Sequence, residues 1–466
     1  MVDSAAVSGE SRPLAVRMSL SVLAVAGLVA CARDDVPVER RLQEALDAGL
    51  TRCEVHGAAA AVVFPDGAVW QGASGVSHPD VEMSPDMSFA IGSITKNMVA
   101  ALVLQLAEEG RLSLEDPIST WLPAYPHVSG AITVRQLLNH TSGLFMFWDN
   151  QEIWDDLIRD RTRIFTLEEV LGYLKEPYFE PGEGYRYSNT NYLLAAMIAT
   201  ELTGSTLAAE MRQRFWSPLG LESARLPLEE PYPENLAHVW GDNFERDGVI
   251  RDITFLPRAS HDSIAYGSSG VFMTAPDLAR WTDALYRGEV LEPSSLAEMR
   301  AFAAGSYGLG LGRLGRKTGG VRWARSEGHG GGNIGSTAYM VHLPDHGVSL
   351  AVMVNRFGTG CASQLVGDLG GIAARHVRPA SVAEIVWSVE GLLSVMYLLG
   401  GAGALIFALR RDRPLILVLF GGLAIVGGWV SSTRGLPLHY VLFPEGALLA
   451  VIGISLTVAA RWRHGR

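Results

Sequence analysis

A serine and a lysine stand three positions apart in Ser93-Ile94-Thr95-Lys96. On a helix, residues i and i+3 are neighbours, so the hydroxyl and the amine would lie on one face. Serine is a weak nucleophile near neutral pH and needs a base beside it. A lysine can be that base once burial or nearby positive charge has lowered its pKa. The spacing therefore predicts acyl transfer through a covalent intermediate on Ser93.

Two further motifs carry polar groups that suit the same chemistry. Tyr187-Ser188-Asn189 offers a phenol that can relay a proton and an amide that can hold a substrate, and His329-Gly330-Gly331 offers an imidazole beside flexible backbone. Each motif alone is weak, because Ser-x-x-Lys is frequent, a buried tyrosine is often an ordinary core residue, and glycines can simply let strands approach closely. Their order is informative, since the serine opens an apolar helix, the tyrosine precedes a second helix and the histidine enters a strand pair. We expect the three segments to converge on one cleft.

Local patterning predicts strands at both ends of the middle region and helices between them. Short β-rich runs around a Pro-Asp-Gly turn indicate a hairpin over 58–76, and an apolar stripe indicates a helix over 93–112. The other expected elements are helices at 167–174, 191–202 and 275–286, broken by the Gly-Ser-Ser-Gly of 267–270, then strands at 321–325, 336–343 and 349–355 and a closing helix at 361–377. This order predicts an α+β fold in which one antiparallel sheet is assembled from both ends of the domain, with an all-helical part inserted.

Several segments beyond these motifs resemble the serine β-lactamase and penicillin-binding protein superfamily. The resemblance is to the branch with class C β-lactamases, D-alanyl-D-alanine carboxypeptidases, D-aminopeptidases and related esterases, and it covers about Val38 to Val377. The segments that carry it, besides the three motifs, are Phe89-Ala90-Ile91-Gly92-Ser93, Leu137-Leu138-Asn139-His140-Thr141-Ser142-Gly143-Leu144, Pro181-Gly182-Glu183, Ser188-Asn189-Thr190-Asn191-Tyr192, Tyr307-Gly308-Leu309-Gly310 and Gly328-His329-Gly330. It implies a β-lactamase-like fold, with an antiparallel sheet flanked by helices and a helical subdomain inserted.

The resemblance also implies a role for each residue of the cleft. Ser93 would form the acyl-enzyme, Lys96 would activate it, and Tyr187 would pass a proton to the leaving group and help to activate water for deacylation. Asn189 would bind the amide on the acyl side of the substrate. His329, Gly330 and Gly331 would border the substrate, and the backbone N–H groups of Ser93 and Gly332 would form the oxyanion hole.

Two positions depart from the class C pattern and bear on the substrate. Class C β-lactamases have a lysine where this chain has His329, whereas several peptidases and esterases of the branch have a histidine. The next position is usually a threonine or serine whose hydroxyl helps to bind a carboxylate, and here it is Gly330. The sequence therefore favours esterase or amidase chemistry over a carboxypeptidase or a dedicated β-lactamase. In the related proteins the segment of His140 is a structural turn, so we do not expect that histidine to be a second base.

The N-terminal region indicates export. Arg12 and Arg17 precede the short apolar run Met18–Ala30, which is typical of a signal peptide, with an uncleaved anchor as the alternative. The run closes in Leu28-Val29-Ala30-Cys31, which resembles a bacterial lipobox and implies that Cys31 is lipidated.

Three apolar runs near the end of the chain indicate membrane attachment. They cover 385–409, 415–430 and 444–460, and each is close to the roughly 20 residues that cross a bilayer core. Arginines fill the first connection and the last residues, and because arginine-rich loops stay in the cytoplasm, everything before the first run would lie outside the bacterial cytoplasmic membrane. The alternative, three buried soluble helices, would need a very large core. We expect a leader at 1–30, a hydrolase domain at 31–380 and a membrane domain with three transmembrane helices at 381–466.

Two cysteines remain once Cys31 is assigned to the leader, in what would be an oxidising compartment. In the family that the chain resembles, the strand after Cys53 and the strand before Cys361 are antiparallel neighbours, which places the two residues at the same end of the sheet. The resemblance therefore implies a Cys53–Cys361 disulfide, with two buried thiols as the alternative.

The expected partners are a small-molecule or peptide substrate and the lipid bilayer. The net charge of -11 comes without a long basic stretch, which argues against nucleic acid, and no histidine and carboxylate cluster has metal-ligand spacing, so we expect neither metal nor cofactor. A sensor that a ligand acylates at Ser93 is an alternative, but only short cytoplasmic segments are expected to receive its signal. An α/β-hydrolase would need a Gly-x-Ser-x-Gly elbow, and this chain has none.

Overall fold

The computed structural model describes residues 36–53, 55–242, 248–302, 306–314 and 325–378. Contacts divide the chain into two units, Met1–Arg378 and Pro379–Arg466, and all described residues belong to the first. The expected leader, Cys31 and the three expected transmembrane helices lie outside the described residues, as does most of the strand expected at 321–325. Within the described ranges, no single helix is long and apolar enough to cross a membrane. One bent pair, Asn189–Thr203 with Leu207–Trp216, passes that test of length and composition when taken together.

The strands that form the middle of the sheet and the closing helix follow the predicted order, whereas several strands of two or three residues were not predicted. The strands are β1 (Gly57–Val63), β2 (Val69–His78), β3 (Val81–Glu82), β4 (Ser88–Ala90), β5 (Trp240–Gly241), β6 (Arg251–Asp252), β7 (Phe272–Thr274), β8 (Gly312–Arg313), β9 (Glu327–Asn333), β10 (Ser336–Leu343) and β11 (Val348–Val354). The α-helices are α1 (Val38–Arg52), α2 (Thr95–Glu108), α3 (Val134–Leu138), α4 (Gln151–Arg159), α5 (Leu167–Leu171), α6 (Asn189–Thr203), α7 (Leu207–Met211), α8 (Ala259–Ser269), α9 (Ala275–Arg287), α10 (Pro293–Met299) and α11 (Cys361–Val377). Single 3₁₀ turns occur at Gly92–Ile94, Ile118–Thr120 and Phe147–Asp149, and α7 continues into a π-helical turn at Arg212–Trp216.

The central sheet has the order β3-β2-β1-β11-β10-β9-β8, and every pairing in it is antiparallel. Its middle joins the two ends of the domain, because Ala58 of β1 lies opposite Val354 of β11 and Val63 lies opposite Ser349. All residues of β1 and β11 are buried, so layers must cover both faces, and the alanines of β1 let those layers approach closely. The prediction of one antiparallel sheet built from both ends is confirmed.

Helices α1 and α11 form the layer on one face of the sheet. Leu42 and Leu46 of α1 pack with Leu365 and Leu369 of α11 in an apolar cluster that also contains the valines of β11. Cys53, at the end of α1, is bonded to Cys361, at the start of α11, with 5.7 Å between their Cα atoms. The structure thus contains the disulfide that the family resemblance implies.

Helices α2, α6, α8 and α9 form the layer on the other face of the sheet. The region inserted in the sheet is not all-helical, contrary to the prediction. The inserted region also contains the strand pair β5–β6 and the strand β7, which pairs with β4. The expected break at Gly267–Gly270 was also misplaced, because α8 continues to Ser269 and its irregularity is at Tyr266, with φ of 29°. That local kink lies two residues before Ser268, whose carbonyl oxygen contacts Lys96.

Candidate active site

Ser93 lies at the start of a helix, immediately after a sharp turn. Gly92 has φ of +55°, which favours glycine, and the 3₁₀ turn Gly92–Ile94 leads directly into α2. Ser93 is partly exposed, whereas Lys96, one turn further on, is fully buried. The hydroxyl therefore reaches solvent while the amine lies beneath it in the protein.

The amine of Lys96 makes short contacts with two oxygens. Its Nζ lies 3.0 Å from Ser93 Oγ and 2.7 Å from the backbone carbonyl oxygen of Ser268, at the end of α8. Burial lowers its pKa well below the usual value, and no ion pair to a carboxylate is seen for it in the described part of the chain. A neutral amine can donate a hydrogen to the Ser268 carbonyl and still accept the Ser93 proton on its lone pair.

Tyr187 is buried beside the same two residues, just before α6. Its ring centroid is 4.9 Å from Lys96 Nζ. Burial raises the pKa of the Tyr187 hydroxyl, an effect that the neighbouring Ser93 partly opposes. The phenol is therefore protonated at rest and can give a proton to a departing group.

Asn189 presents an unused acceptor at the first residue of α6. The residue is 8% exposed, and its Oδ1 is buried without a hydrogen-bond partner among the described residues. Leaving such an oxygen unpaired costs about 1–3 kcal/mol. Its backbone N–H donates to Met146 Sδ at 3.1 Å, so the segment before Asn150 contacts the site. An N–H group of a bound substrate would satisfy the free oxygen.

His329, on β9, is a neutral hydrogen-bonded imidazole in this arrangement. Its Nδ1 lies 2.6 Å from the Gly330 carbonyl oxygen, to which only an N–H can donate, and its Nε2 lies 2.8 Å from the Tyr307 hydroxyl, which can then donate to it. Burial first, and then the neighbouring Lys96, lowers the pKa of His329 to about 4. The position that holds a lysine in class C β-lactamases therefore offers no cation near neutral pH.

The backbone of Gly331 and Gly332 packs directly against that of Gly92 and Ser93. A Cβ added at Gly331 would lie 1.9 Å from the Ile91 carbonyl oxygen and 3.0 Å from the Ser93 nitrogen. A Cβ added at Gly92 would lie 2.5 Å from the Gly332 carbonyl oxygen. Only glycine fits these contacts, which bring together the two segments expected to form the oxyanion hole.

Gly330 faces a different direction from its neighbours. A Cβ placed there would meet the Tyr339 ring at 2.8 Å, whereas His329 and Gly331 face Tyr187 and Ser93. Successive residues of a strand point to opposite faces, which accounts for the difference. The structure brings Ser93, Lys96, Tyr187, His329, Gly331 and Gly332 together, but it does not place Gly330 against Ser93.

Three residues that contact the site had no assigned function in the sequence. The carbonyl of Ser268 binds Lys96, the hydroxyl of Tyr307 binds His329, and the ring of His140 lies 4.2 Å from that of Tyr187. In the sequence, Ser268 lies in the expected glycine-rich break, Tyr307 lies in a motif that carries the family resemblance, and His140 lies in an expected turn. Their contacts depend on tertiary approach, which no local pattern reveals.

A partly exposed serine served by a buried lysine, between an antiparallel sheet and a helical layer, places the protein among the serine hydrolases that use lysine as the base. No group of three or more metal-ligating side chains is assembled in the part of the chain that was searched, which is the described part.

Comparisons with known proteins agree with this class. The family model described as Beta-lactamase matches residues 41–365, well over half of the chain. Penicillin-binding protein 4* of Bacillus subtilis (strain 168) is 28% identical over 58% of this chain and 60% of its own length, and esterase EstB of Burkholderia gladioli is 29% identical over 57% and 74%. A D-stereospecific amidohydrolase from Streptomyces sp., a solved structure, is 31% identical, with a TM-score of 0.62 over 71% of this chain and 97% of that one.

The chain therefore belongs to the beta-lactamase family, within the superfamily of serine β-lactamases and penicillin-binding proteins. It spans about 60% of the length of the penicillin-binding protein that it matches, so that protein has segments without a counterpart in the match.

Proposed function

We propose that the protein is an exported, membrane-attached serine hydrolase that cleaves an ester or amide through an acyl-enzyme on Ser93. The observation that carries this proposal is the 3.0 Å separation of Ser93 Oγ from the amine of Lys96, a lysine whose pKa burial lowers. Burial favours the neutral form of this amine, and a neutral amine is the base that a serine nucleophile requires.

In the first half of the reaction, Lys96 takes the proton of Ser93 as Oγ bonds to the substrate carbonyl carbon. The carbonyl oxygen becomes negative and accepts hydrogen bonds from the backbone N–H groups of Ser93 and Gly332. The bond to the leaving oxygen or nitrogen then breaks, and Tyr187 gives that atom a proton, which Lys96 replaces. The products of this half are the Ser93 ester and the free alcohol or amine.

In the second half, water attacks the Ser93 ester. Tyr187, briefly deprotonated as it passes its proton on to Lys96, accepts a proton from the attacking water. The bond from the acyl carbon to Ser93 Oγ breaks, and that oxygen recovers its proton from Lys96. The acid product leaves and all three side chains return to their starting states.

The substrate that fits best has an N–H on its acyl side and no carboxylate to be recognised. Asn189 Oδ1 is an unpaired acceptor, whereas His329 is neutral and Gly330 has no hydroxyl. This favours short esters and amides, including amides of D-amino acids, and the names of the Burkholderia esterase and the Streptomyces amidohydrolase point the same way. A neutral imidazole and a glycine give little to a free C-terminal carboxylate.

Binding of penicillin, by a D-alanyl-D-alanine carboxypeptidase, a β-lactamase or a sensor that stays acylated, is the second candidate. The match to penicillin-binding protein 4* favours it. Ser93 and Lys96 could open a lactam as they would an ester, and the acyl-enzyme would then turn over slowly or not at all.

The proposed location is the outer side of a bacterial cytoplasmic membrane. It is supported by the charged and apolar pattern of residues 12–30, the lipobox-like Cys31, and the three apolar runs with arginine-rich connections. The Cys53–Cys361 disulfide agrees with an oxidising compartment.

The test uses the full chain, purified in detergent, and its Ser93→Ala variant with five substrates. These are a nitrophenyl ester, the anilides of D-alanine and L-alanine, a peptide ending in D-alanyl-D-alanine, and a fluorescent penicillin. The proposal expects Ser93-dependent release from the ester and from the D-anilide more than the L-anilide. Ser93-dependent cleavage of the peptide or a stable penicillin adduct, without ester turnover, would support the second candidate instead. Failure of all five to react would reject the proposed function.

A further inference from the structure

His140 lies among the tyrosines of the site, although the mechanism above gives it no role. It follows α3 with φ of +62° and is fully buried. Its ring centroid lies 4.2 Å from that of Tyr187, 4.9 Å from Tyr307 and 5.3 Å from Tyr192. An imidazole in such a place needs an explanation, because an apolar ring would avoid the cost of burying polar nitrogens.

His140 is bonded to the residues on both sides of Tyr187. The Arg186 N–H donates to the His140 carbonyl oxygen at 3.1 Å, and the Ser188 N–H donates to His140 Nδ1 at 3.3 Å. Alternate N–H groups of an extended chain point to the same side, and Ser188 is extended, with φ of -145° and ψ of 129°. The backbone that carries Tyr187 is therefore held at two points by one residue.

A second donor fixes the state of the ring. Asn191 Nδ2 lies 2.9 Å from His140 Nδ1, and Asn191 is oriented by the Ser142 hydroxyl, which donates to its Oδ1. With two donors directed at it, Nδ1 has no hydrogen, and burial, Lys96 and His329 all lower the pKa of His140, so the ring is neutral. Its hydrogen is on Nε2, which is buried without a partner among the described residues.

The unpaired Nε2 shows that the ring is not optimised for stability. A buried donor without a partner costs about 1–3 kcal/mol. Costs of this kind are typical of residues kept for activity rather than for folding. What His140 does provide is the Nδ1 acceptor and a ring face against Tyr187.

We propose that His140 is a positioning residue that holds Tyr187 against Ser93, through the hydrogen bonds from the flanking N–H groups and the contact between the two rings. The inference rests on the proposed function, since it concerns the proton transfers assigned to Tyr187. This positioning role can be distinguished from a packing role. If His140 positions Tyr187, the loss of His140 should lower kcat, and only when the Tyr187 hydroxyl is present.

The test compares two substitutions that both tolerate positive φ. His140→Asn places Oδ1 where the histidine has Nδ1, so it keeps an acceptor for Ser188 and Asn191, whereas His140→Gly removes the acceptor and the ring. Both are made in the full chain and in the Tyr187→Phe background, and kcat and KM are measured with the nitrophenyl ester. His342→Ala is the matched control, because His342 is another buried histidine whose Nδ1 is hydrogen-bonded, to Ser349.

We expect His140→Gly to lower kcat by about 10²-fold, the usual scale for misplacing a catalytic group by about 1 Å, with little change in KM. His140→Asn should recover most of that loss. In the Tyr187→Phe background, His140→Gly should cause no further loss, since the two residues act as a unit. His342→Ala should lower the melting temperature without changing the kcat of the folded protein.

The inference would be overturned if His140→Gly lowered kcat equally with and without the Tyr187 hydroxyl. It would also be overturned if His140→Asn lowered kcat as much as His140→Gly does. Either result would leave the proposed function intact. If His140→Gly does not fold, Asn191→Ala tests the same point, because it removes the 2.9 Å donor to Nδ1 and keeps the ring. Its smaller loss of kcat should also vanish in the Tyr187→Phe background, and persistence of that loss there would contradict the inference. No turnover by the unaltered chain would reject the proposed function, and the inference with it.

Discussion

Two serines at opposite ends of the central sheet each lie beside a basic side chain, yet only one has the properties of a nucleophile. Ser93 Oγ is 3.0 Å from Lys96 Nζ, near the end of β9. Ser349 Oγ is 2.9 Å from His342 Nδ1 and 3.2 Å from Asp283 Oδ1, so by residue type it comes closer to a serine, histidine and aspartate triad.

The difference lies in access and in unsatisfied groups. Ser349 is 0% exposed, and its hydroxyl donates to Asp283 while facing the imidazole, so the three side chains satisfy one another. In a triad the serine would donate to the histidine instead. Ser93 is partly exposed, burial favours the neutral form of its base, and Asn189 keeps a buried acceptor without a partner among the described residues. Residue types alone therefore do not define the site, whereas exposure and unmet hydrogen-bonding capacity do.

The largest expected effect separates these two serines directly. Ser93→Ala should lower kcat for the nitrophenyl ester by about 10⁵-fold or more, because no nucleophile remains. Ser349→Ala should leave kcat unchanged and lower only the melting temperature. Steady-state kinetics and thermal unfolding of the two variants decide the matter, and a large loss of kcat on Ser349→Ala would mean that the wrong serine has been assigned.

The next effect concerns the base. Lys96→Arg keeps a positive charge that cannot be lost in the accessible pH range, so it should lower kcat by about 10³-fold. In the unaltered chain, kcat/KM should rise as pH increases through the pKa of Lys96, well below the usual lysine value, because only the neutral amine accepts the Ser93 proton. His329, with a pKa of about 4, should add no step near neutral pH. A pH profile whose acid limb survives Lys96→Arg would assign that limb to another group.

A smaller and more selective effect is expected at Asn189. Asn189→Ala should lower kcat/KM about 10-fold for an ester whose acyl group carries an N–H, since one buried hydrogen bond is lost. A butyrate ester, which has no N–H to donate, is the matched control and should react as before. Equal losses for both esters would show that Asn189 stabilises the site rather than binding substrate.

The smallest effect on catalysis is expected from the disulfide. Cys53→Ser with Cys361→Ser should lower the free energy of unfolding by about 2–5 kcal/mol, with kcat of the folded protein unchanged. Denaturant unfolding with and without a reducing agent measures this, and the reducing agent should affect only the unaltered chain. If kcat fell together with the free energy of unfolding, helices α1 and α11, which the disulfide joins, would be shown to affect the cleft.

Much of this architecture could be predicted because local sequence patterns determine it. Alternation and turn residues predict β1 and β2, the apolar stripe predicts α2, and the closing helix Cys361–Val377 has the predicted bounds. The family resemblance added what no local pattern contains, namely the pairing of β1 with β11 and hence the disulfide. The short strands β5 and β7 were missed, since two or three residues carry no measurable periodicity.

The features of the site likewise separate into those that the sequence predicts and those that it does not. The convergence of Ser93, Lys96 and Tyr187 could be predicted from spacing and order, because each motif places its residue near the start of a helix. The role of the Ser268 carbonyl could not, since it lies just beyond a kink at Tyr266, and a positive φ at a tyrosine has no sequence signature. His140 was taken for a turn residue, which its φ supports, but its contact with Tyr187 exists only in three dimensions.

Covalent trapping tests the central claim most directly. The full chain, purified in detergent, is treated with an activated ester whose acyl group leaves slowly, its intact mass is measured, and the modified residue is identified by peptide mapping. One acyl group per chain on Ser93, absent from Ser93→Ala and retained in Ser349→Ala, is the result that the proposed mechanism predicts. Acylation of another residue, or hydrolysis of the ester that persists in Ser93→Ala, would contradict it.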